Sequence, residues 1–321
     1  MDTTAAAEST QQAPRLRIDR LRFTFEALEP MRLPAYTGSA WRGLLGRCLR
    51  QTVCVTRQPT CDGCLLLRTC VYSTFFESPA AAPEIAARYN PLPHPYVLEP
   101  DIEPRRDLTA GDRLGLGMTL MGSAADLAPY LIHALQRAGE RGLGSRGARF
   151  ALLELSREPR LGSGDWTPVY RRNEGELHPL VVEPPEPVPC PPTVRLQLQT
   201  PLRLKHHGRF VGPTHLTAAD LLRTLIGRIE ILTALYGAGS LDLPVLHAAV
   251  PTVEILAADL RWHEWTRYSS RQQTSMQMGG LLGQIDLGGD GLPALWPLLR
   301  LGQWTHLGKG TSFGLGRYRL L

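Results

Sequence analysis

The sequence predicts an α+β protein of two tandem ferredoxin-like (RRM-like) βαββαβ domains, with a cysteine-rich metal-binding insertion in the first. Three observations carry that expectation. Each half of the chain closes with a helical stretch, a glycine-rich turn bearing arginine, and a strand. These are Gly142-Leu-Gly-Ser-Arg-Gly147 before residues 149–155, and Gly308-Lys-Gly-Thr-Ser-Phe-Gly-Leu-Gly-Arg317 before the last strand. Each half also restarts with apolar and polar residues in alternation, at residues 16–25 and 193–200, the period of a half-buried strand. Between them, residues 184–192 hold six prolines and read as a linker without regular structure. The expected organisation is a disordered tail at 1–14, an N-terminal domain at 15–183, the linker, and a C-terminal domain with the longer glycine-rich loop at 193–321.

The elements follow in order. After the first strand, Pro30 and Pro34 mark a bend, and Thr37 or Ser39 offers an N-cap for a helix over residues 40–50. Its apolar face is Trp41, Leu44, Leu45, Cys48 and Leu49, with Arg42, Arg47 and Arg50 off that face. A proline-rich passage over 79–104 reads as loop and edge strand. A strand over 111–122, a helix over 124–139 and a strand over 149–155 complete the first unit. The second runs through the clearest amphipathic helix (217–236), strands over 252–262 and 280–287, a helix over 292–301, and the closing strand.

The chain of 321 residues is 43% apolar, with a net charge of +5 and a pI near 9.0. Such a balance suits an anionic partner. Only Lys205 and Lys309 are lysines, so arginine supplies the positive charge, and arginine can fork onto phosphate. No apolar run reaches the roughly 18 residues of a membrane span. Residues 1–14 lack the basic start and apolar run of a signal peptide. A cytoplasmic protein without a membrane partner is expected.

Cys54, Cys61, Cys64 and Cys70 fall in one short loop with the spacing C-x6-C-x2-C-x5-C. Four converging thiolates can close a tetrahedral site, and a metal is favoured over disulfides inside the cell. Free thiols are the plainer alternative. A structural Zn2+ is the preferred occupant, and an iron–sulfur cluster uses the same four ligands. In the closing loop, Gly308, Gly310, Gly314 and Gly316 form two Gly-x-Gly pairs around Lys309 and ahead of Arg317. Either this is only a turn before a strand, or its backbone N–H groups and the two cations cradle phosphate.

Here the chain resembles a known family. The segment from His306 to Tyr318 resembles the glycine-rich signature of the RAMP superfamily, and more narrowly of the CRISPR-associated repeat-processing endoribonucleases, the "Cas-six" family. Three further stretches agree: residues 33–43, the cysteine loop leading to Cys70-Val-Tyr72, and residues 265–272 with Met278-Gly-Gly280. The resemblance implies CRISPR precursor RNA as substrate, repeat or guide RNA and other CRISPR effector subunits as partners, and metal-independent cleavage. In that chemistry a ribose 2′-hydroxyl attacks the adjacent phosphate and leaves a cyclic phosphate and a 5′-hydroxyl. It needs a base, a cation for the phosphorane and an acid.

The family commonly places a histidine in or near the first helix, and residues 36–51 hold none. Tyr36 and Arg42 are what that region offers. His306, directly before the glycine loop, completes the expected catalytic set, with a packed or solvated histidine as its plainer reading. Arg267 and Arg271 flank Tyr268 in a pattern suited to stacking and phosphate contact, or lie on a solvated strand. With Gly308, Lys309, Gly310, Gly314, Gly316 and Arg317 they form the expected RNA-binding set. The missing first-helix histidine supports a rival reading, a non-catalytic subunit that binds guide RNA in an effector complex.

Overall fold

In the strand β1 (Ile18–Ala27), Leu21, Phe23, Phe25 and Ala27 are buried on one side while Arg20, Arg22, Thr24 and Glu26 lie on the other. This two-residue alternation buries one face of β1, which is the central strand of the first sheet. The computed structural model describes residues 15–79, 92–102, 107–144, 146–264, 266–269 and 274–321, without the side chains of 266–269 and 274–276. The tail expected at 1–14 lies outside them.

A short ladder joins β2 (Met31–Arg32) to β4 (Asp107–Leu108). The main sheet adds β3 (Tyr96–Pro100), β5 (Arg113–Met121), β6 (Phe150–Arg157) and β7 (Thr167–Arg171), in the antiparallel order β3-β5-β1-β6-β7. Helices α1 (Gly38–Val53) and α3 (Ala128–Arg141) cover its apolar face, with α2 (Val71–Phe76) beside α1. Rings of Phe25, Trp41 and Phe150 meet there at centroid distances of 5.0 to 5.4 Å. The whole expected apolar face of α1 is buried, and the helix runs on to Val53. Thr37 is its N-cap residue but its side chain makes no capping bond. The expected helix over 124–139 starts instead as a 3-10 turn, Gly122–Leu127, and becomes α-helical where Pro129 can occupy the first turn. β7 was not expected: it is a short edge strand that carries Pro168.

The second sheet is built from β8 (Thr193–Leu202), β11 (Glu254–His263), β14 (Gly280–Gly288) and β15 (Tyr318–Leu320), in the order β11-β14-β8-β15. Two hairpins stand apart from it: β9 (Lys205–His206) with β10 (Arg209–Phe210), and β12 (Thr266–Ser269) with β13 (Thr274–Gln277). Its helices are α4 (Ala218–Tyr236), the short α5 (Leu243–Ala249) and α6 (Leu292–Thr305). Thr217 and Asp220 form a reciprocal capping box that fixes the start of α4. Counting only the four strands common to both sheets, each runs second-third-first-fourth with a helix after the first and third. That order is the βαββαβ pattern the sequence predicts.

Two separate hydrophobic cores result, one from Leu21 to Tyr170 and one from Val194 to Tyr318. Residues 184–192 form no helix or strand. The halves meet through two small apolar clusters, Ile18–Leu161–Trp304 and Val97–Met121–Leu232. Reciprocal backbone bonds between Arg15 and Ala238, at 2.8 and 2.9 Å, tie the start of the chain to the end of α4. Among the described residues, no helix is long and apolar enough to cross a membrane.

Candidate functional site

The glycine-rich loop is a seam between the two domains. Gly310 and Gly314, both in the left-handed region, bracket a single 3-10 turn, Thr311–Phe313. A Cβ on Gly314 would stand 2.7 Å from the Leu98 carbonyl and from the Tyr36 hydroxyl, and one on Gly38 would stand 1.9 Å from the Phe313 carbonyl. Bare backbone is therefore required on both sides of the contact. The Tyr36 hydroxyl donates to the Phe313 carbonyl at 2.6 Å, and burial raises its pKa against the opposing Arg317 charge.

Beside this seam lies a polar cluster built from both domains. Arg42, from α1, donates to His94 Nε2 at 3.1 Å, and its guanidinium lies over the rings of Phe76 (5.2 Å) and Phe313 (4.9 Å). Arginine offers no acceptor, so Nε2 is the unprotonated nitrogen and Nδ1 carries the proton. Nδ1 therefore donates to Ser78 Oγ, at 2.7 Å. Ser78 is a non-glycine residue at φ +46, and its N–H reaches the Ser73 carbonyl at 2.7 Å. Strain of this kind collects where a side chain must be aimed. Across the seam, the Tyr236 hydroxyl donates to the Pro93 carbonyl at 2.6 Å, which fixes the backbone next to His94. Burial, then the charges of Arg42 and Arg228, push the His94 pKa down to about 4. His94 is thus a half-buried, neutral imidazole whose acceptor nitrogen faces a cation.

Behind it is a buried ionic hub centred on Glu99. Arg20 donates to Glu99 at 3.0 Å and to both oxygens of Glu158 at 3.0 and 3.1 Å, while Arg317 of the C-terminal domain approaches Glu99 at 3.5 Å. Burial opposes the Glu99 charge, but Arg20 and then Arg317 outweigh it and hold the pKa at about 2. Arg228 caps α6 by donating to the Thr305 and His306 carbonyls at 2.6 to 3.0 Å.

The sites expected from sequence divide. Tyr36 and Arg42 stand at the seam together. His306 is fully buried at the C-terminus of α6 with φ +56, its Nδ1 lies 3.2 Å from the Leu315 carbonyl, and burial lowers its pKa to about 3. Gly314 and Gly316 are buried, and Arg317 is half-buried and turned towards Glu99. Gly308 and Gly310 are half-buried and Lys309 is exposed, so this half of the loop faces solvent. Arg267 lies on β12 with its side chain outside the described part, and Arg271 lies outside the described residues. His94 was missed altogether.

Cys54, Cys61, Cys64 and Cys70 line one small pocket with Thr56, whose hydroxyl lies 3.8 Å from the Cys54 sulfur and 3.7 Å from the Cys64 sulfur. Burial and the Glu77 carboxylate push the Cys61 thiol up, with Cys70 and Cys54 near enough to add to the effect. Among the described residues, no three His, Cys, Asp or Glu side chains are grouped closely enough to hold a metal ion.

Comparison with known proteins fits this geometry. The AF_1859_N model, described as an N-terminal domain, matches residues 16–185, and the model described as CRISPR-associated endoribonuclease Cas6 matches residues 196–318. A protein of Archaeoglobus fulgidus is 22% identical over 90% of this chain and 92% of its own length. Thermus thermophilus Cas6 superposes with a TM-score of 0.54 at 14% identity, covering 95% of this chain and 99% of that one. The product complex of the same Cas6 gives 0.56 at 16%, covering 95% and 100%. A partial Cas6–RT–Cas1–Cas2 complex gives 0.55 at 13%, covering 96% of this chain and 46% of the longer one. At such identities the superpositions speak for the fold alone. Through residues 16–185, more than half its length, the chain belongs to the AF_1859_N domain family, and it resembles the repeat-processing Cas6 endoribonucleases.

Proposed function

We propose that this protein processes CRISPR precursor RNA at the seam between its domains, both of which we read as ferredoxin-like. One observation carries the reading: a neutral histidine, His94, lies 3.1 Å from the Arg42 guanidinium beside the glycine-rich loop. A phosphate entering the seam would draw Arg42 away from His94, freeing Nε2 as a base next to the bound anion. His94 then takes the proton of the ribose 2′-hydroxyl, and the 2′-oxygen attacks the adjacent phosphorus. The bond from phosphorus to the 5′-oxygen breaks, and that oxygen takes a proton from the Tyr36 hydroxyl. Burial holds Tyr36 protonated until this point. The products are a cyclic phosphate and a 5′-hydroxyl. Lys309, with Gly308 and Gly310, contacts phosphates on the open side of the loop, and Arg267 and Arg271 add contacts to the same RNA. His306 acts by holding the loop and not by chemistry.

RNA carrying the host's CRISPR repeat is the test substrate. Cleavage at one position, unaffected by EDTA, is expected, and intact binding without any cleavage would contradict it. That second outcome is the rival, a non-catalytic guide-RNA subunit, favoured by the complete hydrogen bonding of His94 in the free protein. The Cas6–RT–Cas1–Cas2 assembly supports other CRISPR proteins as partners in either case.

The four cysteines are the donor set of a structural Zn2+: four thiols share one pocket that no histidine or carboxylate lines, and their sulfurs, not grouped closely enough to hold an ion in this arrangement, would draw together around the metal. The metal would pin a loop that is otherwise exposed around Leu65, and it takes no part in the reaction. Cys61→Ser/Cys64→Ser is expected to lower thermal stability and metal content together while leaving the site of cleavage unchanged. Elemental analysis near one zinc per chain is the expected result, and the absence of both zinc and iron would contradict the assignment.

A further inference from the structure

The outer face of the first sheet carries a second basic site, away from the seam. An open groove of about 530 Å³ is lined by Thr24, Arg113, Leu153, Glu154, Arg171 and Arg172, with Asn173 at its edge. This lies within the roughly 300–1,000 Å³ typical of ligand pockets. The strand alternation of β1 sends Leu21, Phe23 and Phe25 into the core, and so puts Arg20, Arg22 and Thr24 on this outer face. Arg22 is exposed and stands 4.9 Å from the centre of the Trp166 ring.

The charges do not cancel. Arg171 approaches Glu154 at 3.5 Å and Glu174 at 3.2 Å, and Glu154 also accepts from Ser156 at 2.8 Å. Glu26, half-buried, pairs across the ladder with Arg113. Arg22, Arg113 and Arg172 form no ion pair within 4.0 Å among the described residues, and Arg113 and Arg172 are exposed. Leu153, half-buried on the floor, offers an apolar surface between these guanidinium groups, and the Arg172 N–H bonds the Leu153 carbonyl at 2.9 Å. Forked cations around a small apolar platform, with hydroxyl and amide groups at the rim, match a phosphodiester backbone that has unstacked bases.

One strand links the groove to the ionic hub behind the seam. From Thr24, the outer face of β1 runs through Arg22 to Arg20, which binds the same Glu99 that holds Arg317 of the C-terminal domain. Four residues of strand span only about 13 Å. We infer that this groove binds an unpaired, single-stranded flank of the same RNA whose cleavage is proposed at the seam. The inference rests on that reading for the identity of the RNA, and not on its chemistry.

The test is fluorescence anisotropy of the full-length protein with a short labelled oligouridylate, titrated over a range of salt concentrations. In Arg113→Ala/Arg172→Ala, affinity at low salt should fall roughly tenfold. The slope of log K against log salt should flatten by about 1.4, the loss of two single-strand phosphate contacts. Arg113→Lys/Arg172→Lys keeps the charge and should recover most of the affinity, which separates a phosphate site from misfolding. Cleavage of repeat RNA at saturating protein should stay at the parental rate in both variants. Parental affinity and salt slope in the alanine variant would overturn the groove while leaving the seam untouched. A parental protein that binds no RNA at all would overturn both. Unchanged RNA binding with lost binding of poly-glutamate would reassign the groove to an acidic polypeptide and equally overturn the inference.

Discussion

His94→Ala is expected to slow repeat-RNA cleavage by roughly 10²–10⁴-fold, the usual worth of a positioned base, while RNA binding stays close to the parental level. The expectation follows from the bonding around one ring. Arg42 fixes which nitrogen is the acceptor, and Ser78 fixes where the proton sits. Because the folded pKa is lowered to about 4, His94 is neutral and competent as a base at every pH well above that value. The rate in the pre-steady state should therefore hold from neutral pH down to about 5 and decline towards 4. The usual decline around 6.5 should be absent, because burial, the largest cause of the shift, remains when Arg42 turns to the phosphate. Single-turnover rates across this range, for the parent and for His94→Ala, check both parts. A parental rate in the alanine variant would remove His94 from the chemistry.

The second large effect concerns stability. Glu99→Ala strips the shared carboxylate from Arg20 and Arg317 in a place with little water, and Glu158 can compensate only Arg20. Breaking a buried pair by deleting one partner costs roughly 3–5 kcal/mol, so denaturant midpoints should fall sharply. The pH dependence has a definite sign. Glu99 has a folded pKa of about 2 against an ordinary value of 4.5, so its stabilisation is complete above about 4.5 and is lost as pH falls towards 2. His306 works in the same sense over a higher window. Its folded pKa of about 3 lies below the ordinary 6.5, so the unfolded chain takes up a proton first and stability drops as pH falls from about 6.5 towards 3. Glu99→Ala should flatten the lower window and, because the Glu99 charge also raises the His306 pKa, should carry the His306 decline to lower pH. An unchanged midpoint in Glu99→Ala would mean that the hub does not hold the domains together.

Most of the fold was legible because it is written in local periodicity. The alternation at 16–25, the apolar stripe of 217–236 and the six prolines at 184–192 each state a local preference that packing then follows. The two-residue strands and β7 were not legible, since ladders that short are made by tertiary contact and leave no period in the chain. The site divided along the same line. Tyr36 and Arg42 lie on or beside a helix that could be read. His94 lies 52 residues from Arg42, in a proline-rich passage without a period, and only the fold brings the two rows of atoms together. The packing of the glycine loop was hidden for a related reason. Its glycines were read as room for phosphate, whereas Gly314 and Gly316 give room to the neighbouring backbone of Leu98 and Leu307.

The central claim is that the seam cuts RNA through a 2′-hydroxyl, with His94 as the base. Analysis of the fragment ends after reaction with repeat RNA tests it most directly. A single cut with a cyclic phosphate on one fragment and a 5′-hydroxyl on the other is expected, and a 2′-deoxy substitution at the scissile nucleotide should block it. Fragments bearing a 5′-phosphate and a 3′-hydroxyl, or cleavage that survives the deoxy substitution, would contradict it.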